Sequence, residues 1–265
     1  MKIAVAGKGG VGKTFVSATL SRILAQNGYN VLAVDADPNL NLAYSLGVEY
    51  DIANKILPLS ENIELVKERT GVSPEEALGN MFIMNPRVDD IVEKFGVTAP
   101  DNVKLLVMGT VKGGGTGCMC GANALLRVLI QHMLIQRGEV LIMDMVAGLE
   151  HIGRGTARRM DAMLVVIEPR MKSVDTVKRI LKMAEEIEVK TVLAVGNKVI
   201  RPKDEKFIYE KMEELNIPVI SIIPYDQTVA DADMDGVPTI DYDPEAPAVK
   251  AVRELEKNLI DRFKP

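Results

Sequence analysis

Several features that would send this chain elsewhere are missing from it. No apolar run approaches the roughly 20 residues needed to cross a bilayer, so a membrane-spanning helix is not expected. Basic residues are not in excess. The formal net charge is −5, which argues against electrostatic affinity for nucleic acid or for an anionic membrane surface. The first strand begins directly after Met1, leaving no room for a signal or transit peptide. Only 2 cysteines occur in 265 residues. Without a secretory signal they read as free thiols in a reducing compartment, and the expected location is the cytoplasm. Internal repeats and low-complexity linkers are absent as well. What remains is ordinary for a soluble globular chain, 47% hydrophobic and 26% charged, and is read as one domain over 1–265.

Short apolar, β-branched runs recur with helix-period stretches between them. Strands are expected at Lys2–Ala6, Val31–Val34, Leu105–Met108, Val140–Met143, Met163–Ile167, Thr191–Val195 and Val219–Ile223. Their continuous apolar character suits strands buried on both faces, as in a parallel sheet covered by helices. Helices are expected at Lys13–Gln26, Asn123–Gln136, Val174–Ile187 and Asp204–Leu215. The alternation predicts an α/β, doubly wound, mainly parallel sheet of seven to eight strands with helices on both faces. The charged, weakly patterned stretch 47–103 interrupts it and reads as a helical insertion, a structural cover in preference to a partner-facing one. At 246–263, Val249, Val252, Leu255, Leu259 and Phe263 share one helical face, the mark of a core-docked terminal helix.

Gly7-Lys8-Gly9-Gly10-Val11-Gly12-Lys13-Thr14 fits the phosphate-loop pattern G-x-x-x-x-G-K-[ST] at every fixed position, after a predicted strand and before a predicted helix. Glycines let backbone N–H groups crowd around phosphate oxygens, and the helix N-terminus adds partial positive charge. Lys13 is expected on the β- and γ-phosphates and the Thr14 hydroxyl on Mg²⁺. The apolar strand ending in Asp144 supplies the usual second magnesium-associated carboxylate. Carboxylates at strand ends face the ligand crevice of such sheets, which makes Asp35 and Asp37 candidates, with a helix cap the competing role for Asp37. Asn197, at a later strand end, can donate and accept with its amide, as a purine edge requires.

Cys118-Met119-Cys120 sits among glycines just before a predicted helix, a position that favours thiolates. In extended backbone the i, i+2 spacing puts both side chains on one side. Two thiolates do not complete a four-ligand shell. The other ligands come from water, another residue type (His132 and His151 are auxiliary candidates) or a second copy of the chain. Four thiolates suit Zn²⁺ as a tetrahedron or Ni²⁺ in a square plane. Two buried structural cysteines are the competing reading, though glycine-rich surroundings offer little apolar packing.

Lys8, directly after the first glycine of K-G-G-V-G-K-T, resembles the deviant phosphate loop of the septum-site, partition and arsenite-pump ATPases and the nitrogenase iron protein. Within that family, Gly115–Cys120, Ala124–Arg127 and Asp144–Thr156 resemble the CooC-type ATPases, which serve nickel insertion into carbon monoxide dehydrogenase; relatives acting on acetyl-CoA synthase share the layout. The resemblance implies an ATP-hydrolysing homodimer that binds ATP and ADP with Mg²⁺ and holds one metal ion between two Cys-x-Cys motifs. It implies that Lys8 reaches the partner's phosphates, that Asp35 supports the magnesium shell, and that Asp37 orients or deprotonates the attacking water. It places the second switch at Met145–Gly148. Asn197 becomes a base-reading residue, with Pro224, Tyr225 and Asp226 as an adenine-flanking loop. Phe15 replaces a hydroxyl residue of many relatives, so its backbone N–H must serve the α-phosphate beside those of Gly9, Gly10, Val11 and Gly12. A positioning ATPase on DNA or membrane, an Fe–S electron-transfer ATPase and an amidating ligase are the alternatives. The acidic balance, the single close thiol pair and the lack of a glutaminase nucleophile with a paired His count against them respectively.

Overall fold

The computed structural model describes residues 1–37, 41–72, 83–109, 120–135, 140–145 and 160–263. Its strands are β1 Lys2–Gly7, β2 Val31–Ala36, β3 Val97–Thr98, β4 Lys104–Val107, β5 Val140–Met145, β6 Ala162–Ile167, β7 Val192–Val199 and β8 Val219–Pro224. Among the described residues they form one 8-stranded sheet in the order β3-β4-β2-β5-β1-β6-β7-β8. Every pairing is parallel except that of β3 with β4. The chain steps outward from β1 to β2 and β4, returns through β5, and then builds β6 to β8 on the other side. The reversal of direction beside β1 is where ligands sit in such sheets, at the carboxyl ends of the strands.

The helices are α1 Lys13–Gln26, α2 Leu42–Leu46, α3 Tyr50–Ala53, α4 Ile63–Thr70, α5 Ile91–Phe95, α6 Cys120–Ile135, α7 Met171–Glu186, α8 Pro202–Glu213, α9 Gln227–Met234, α10 Thr239–Tyr242 and α11 Pro247–Phe263. Alternation along the buried strands divides the core in two. On one face Ala4, Ala6, Met143, Met163 and Val165 meet residues of α4, α6, α7 and α8. On the other, Ile3, Val5, Ile142, Leu164 and Val166 meet α1, α2 and α11. The expected stripe of α11 is realised: Val249, Val252, Leu255 and Leu259 are fully buried and Phe263 packs beside them. The first face is rich in methionine (Met108, Met133, Met143, Met145, Met160, Met163, Met212), whereas among the described residues Met1 alone represents it on the second. Unbranched thioethers pack adaptably; the branched side chains beneath α1 do not.

The structure corrects several expectations. Strand β3 was not among the expected strands, because two residues carry no legible alternation. Among its described residues the insertion at 47–103 forms short helices, of which α4 packs on α6 through a face that includes Leu65 and Val66. Helix α6 begins at Cys120 and not at Asn123, so Cys120 is helical, not extended. First-turn residues need not show apolar periodicity, since their N–H groups lack intrahelical partners and they lie at the helix rim. Among the described residues no helix is long and apolar enough to cross a membrane.

A buried cation ties α1 to three other segments. The Arg22 guanidinium, on the second turn pair of α1, donates to both Asp241 oxygens at 2.8 and 2.9 Å, to Asp101, and to the Leu46 carbonyl at 3.1 Å. Removing the guanidinium strands two carboxylates beside an emptied site. Arg22→Ala should cost about 2 kcal/mol in urea unfolding, after allowance for the part-exposed Asp241. Arg22→Lys should recover only part of it, because an ammonium lacks the planar fork.

Candidate nucleotide site

Strand β1 delivers the chain into the loop at the crevice, and α1 starts at Lys13. Gly10 and Gly12 take left-handed φ values of 80° and 96°, which disfavour any side chain. At Gly12 a Cβ would in addition run into the Asn197 amide. Val11 is fully buried and its N–H closes a turn on the Lys8 carbonyl at 3.3 Å. No side chain caps the N-terminus of α1. The orphan N–H groups of that first turn are therefore available to an anion, which is what a phosphate-binding helix start requires. Lys13 is 6% exposed and Phe15 packs partly against the core under α1.

Two carboxylates lie beneath the loop. Asp35 and Asp144 are direct register partners on the adjacent parallel strands β2 and β5, and they are 0% and 1% exposed. Asp144 accepts from the Thr14 hydroxyl at 2.7 Å and the Ser17 hydroxyl at 3.2 Å. Asp35 accepts from the N–H groups of Asp37 at 3.0 Å and Leu42 at 3.1 Å, which pins the start of α2 to the site. Burial pushes the Asp35 carboxyl up to about 7, opposed by those two N–H groups and assisted by the charge of Asp144. Burial likewise pushes Asp144 up to about 6, against the Thr14 hydrogen bond and the charge of Lys13. A pair of buried acids held up in pKa, with a hydroxyl against one of them, fits a hard divalent cation that would charge both. Thr14, Asp35 and Asp144 are the residues that would hold magnesium, the remaining positions being left to phosphate oxygens and water. Asp37 is 9% exposed, next to this pair.

The residues expected at the base come together on the ends of β7 and β8. Val199 is the register partner of Pro224, and the Tyr225 N–H donates to the Val199 carbonyl at 2.9 Å. Asp226 accepts from Thr228 N–H and Ala248 N–H, both at 3.0 Å, and so joins the starts of α9 and α11. Asn197 is buried, and its Nδ2 donates to the Val11 carbonyl at 2.7 Å while its Oδ1 accepts from the Lys198 N–H at 2.9 Å. Its amide therefore braces the loop, using one donor and one acceptor and leaving one of each.

Three contacts were not assigned from the sequence. Ser17 lies one turn after Thr14 on the same face of α1, and that i, i+3 spacing is the signal by which the sequence could have found it. Glu168 directly follows the last residue of β6; it is largely buried and stands 3.8 Å from the Lys8 ammonium and 3.9 Å from the Arg170 guanidinium. Lys198 reaches the Gly10 carbonyl at 2.7 Å. Cys118, the Cys120 side chain, Pro38 and the second-switch residues 146–148 lie outside the described residues, as does His151. Among the described residues no group of three or more His, Cys, Asp or Glu is arranged to hold a metal ion.

Comparison with known proteins bears on this geometry. The family model for the CobQ/CobB/MinD/ParA nucleotide binding domain matches residues 2–256. An uncharacterised ATP-binding protein of Methanocaldococcus jannaschii is 45% identical over 267 residues, covering 100% of this chain and 99% of that protein. The carbon monoxide dehydrogenase accessory protein CooC of Rhodospirillum rubrum is 43% identical over 244 residues, covering 92% of this chain and 91% of its own length. Among solved structures, the MinC:MinD cell division complex of Aquifex aeolicus superposes with a TM-score of 0.69 at 21% identity, covering 100% of this chain and 97% of the matched one. At that identity the likeness is one of fold.

The carboxylate pair sets a pH dependence. Both acids hold protons in the folded chain at pH values where the unfolded chain has released them, so metal-free stability falls as pH rises from about 4 to about 7. Chemical unfolding without metal should show this fall, on the order of several kcal/mol. It should be smaller in Asp144→Asn, and Mg²⁺ with ADP should reverse it at pH 7.5. A flat profile shared by both proteins would contradict the assignment.

Proposed function

The chain belongs to the CobQ/CobB/MinD/ParA nucleotide-binding family, and on that premise we propose that it is an ATP-dependent metallochaperone of the CooC type. It is an ATPase, acting as one domain over 1–265 in the cytoplasm and as a homodimer when loaded. The cargo is a nickel ion, with zinc the competing choice, and the recipient is carbon monoxide dehydrogenase or acetyl-CoA synthase. The observation that carries the ATPase half is the buried Asp35–Asp144 pair directly beneath an uncapped phosphate-loop helix. The likeness to the Rhodospirillum rubrum accessory protein supports the client half.

Each residue then has a task. Loop N–H groups from Gly9 to Phe15 and the Lys13 ammonium hold the phosphates. Asn197, Pro224, Tyr225 and Asp226 border the adenine. Magnesium, when bound through Thr14, Asp35 and Asp144, neutralises charge on the β- and γ-phosphates. Asp37 orients a water and takes its proton as the water oxygen bonds to the γ-phosphorus; the bond from that phosphorus to the β,γ-bridging oxygen breaks, giving ADP and phosphate. Lys8 leaves Glu168 to reach the second chain's phosphates, an exchange with little cost because the pair is 3.8 Å apart and Lys8 is over a third exposed.

Closure of the dimer brings two Cys118–Cys120 pairs to one ion, completing the four-thiolate shell that one chain lacks. Hydrolysis reopens it and frees the ion. Anaerobic metal analysis of the nickel-loaded protein should give one ion per two chains in a dimer fraction. Cys118→Ser with Cys120→Ser should lose that ion while ATP binding persists. Undiminished metal in the double variant would refute the cargo site.

A further inference from the structure

The end of β7 does more than border a base. The register between β7 and β8 shifts twice, between Ala194 and Val195 and again between Gly196 and Val199. Within the second irregularity Lys198 takes a φ of +58°, the left-handed region that favours glycine. The side chain is nonetheless a lysine, and its ammonium lies 2.7 Å from the Gly10 carbonyl. Asn197 beside it donates to the Val11 carbonyl at 2.7 Å, and its Oδ1 takes the Lys198 N–H at 2.9 Å, so the two side chains form one unit. Gly12 makes room for it, since a Cβ there would overlap the Asn197 amide.

We infer that Lys198 is a positioning residue for the phosphate loop, clamping it from β7 together with Asn197. A peptide unit is planar and trans, so fixing a carbonyl fixes the N–H on its opposite edge. Holding the Gly10 carbonyl sets the Val11 N–H, which closes the turn on Lys8 at 3.3 Å. Holding the Val11 carbonyl sets the Gly12 N–H at the start of α1. The glycines give the loop freedom to reach this shape, and the freedom must be removed before its N–H groups converge on an anion. Lys198 thus acts through Gly10 and not on the phosphates, and its contribution is to polyphosphate affinity whatever base is attached.

The inference rests on the reading that the loop binds nucleotide phosphates. The test compares wild type, Lys198→Met and Lys198→Gly for binding of ADP and of pyrophosphate, both with Mg²⁺, by competition with a fluorescent ADP analogue. Loss of one charge-assisted hydrogen bond at a solvent-facing position should weaken ADP about fivefold. Pyrophosphate should weaken by the same factor. Lys198→Gly, relieved of its left-handed side chain, should melt no lower than wild type while binding as poorly as Lys198→Met, a divergence that a purely structural lysine would not give. Unchanged ADP affinity would overturn the inference, as would a loss for ADP with none for pyrophosphate, which marks a base or ribose contact. Wild-type protein that binds neither ligand would instead overturn the nucleotide reading.

Discussion

Two acids buried side by side at the ends of adjacent parallel strands form the constraint around which this molecule is arranged. Asp35 and Asp144 face each other across β2 and β5 with almost no exposure, and neither carries a full negative charge without cost. The structure meets that cost locally with donors. Thr14 and Ser17 from α1 serve Asp144, and the N–H groups of Asp37 and Leu42 serve Asp35. Through these four contacts the pair connects the phosphate loop helix, the Asp37 turn and α2. A divalent cation relieves what remains, because it favours the charged form of both groups at once.

The loop above the pair is constrained from the opposite side. Asn197 and Lys198 hold the carbonyls of Val11 and Gly10, while Lys8 rests near Glu168. Carboxylates set the floor of the site and cations set its rim. The sheet faces differ in kind as well: α1 sits on branched, rotamer-restricted side chains, and α6, which opens with Cys120, sits on a methionine-rich face.

How much was legible beforehand depended on whether a feature is local in sequence. Helix α1 and the octapeptide before it follow from a contiguous pattern with fixed glycine positions, and α1 spans the predicted residues Lys13–Gln26. The α11 stripe is likewise periodic and was placed correctly in the core. Strand β3 is too short to show a period, and α6 starts right after a run of sequence rich in glycine, where apolar spacing says nothing. The contacts of Lys198 and Glu168 join residues more than 150 positions apart, and nothing local announces them. Asn197 was expected to read a purine edge, yet its amide spends a donor and an acceptor on the chain itself. Those partners lie far away in sequence or depend on the irregular backbone at the end of β7, and neither shows in the local pattern.

The most direct measurement of the central claim is a proton count on binding. Titrating preformed Mg·ADP, which the protein cannot hydrolyse, into metal-free protein at pH 6.5, in two buffers of different ionisation enthalpy, reports the protons released per site. With Asp35 near 7 and Asp144 near 6, the pair holds about one proton in total at that pH. Charging both acids should therefore release about one proton at pH 6.5 and almost none at pH 8.5. Binding without proton release at pH 6.5 would show that the buried carboxylates are not charged by the ligand, and would contradict the site as assigned.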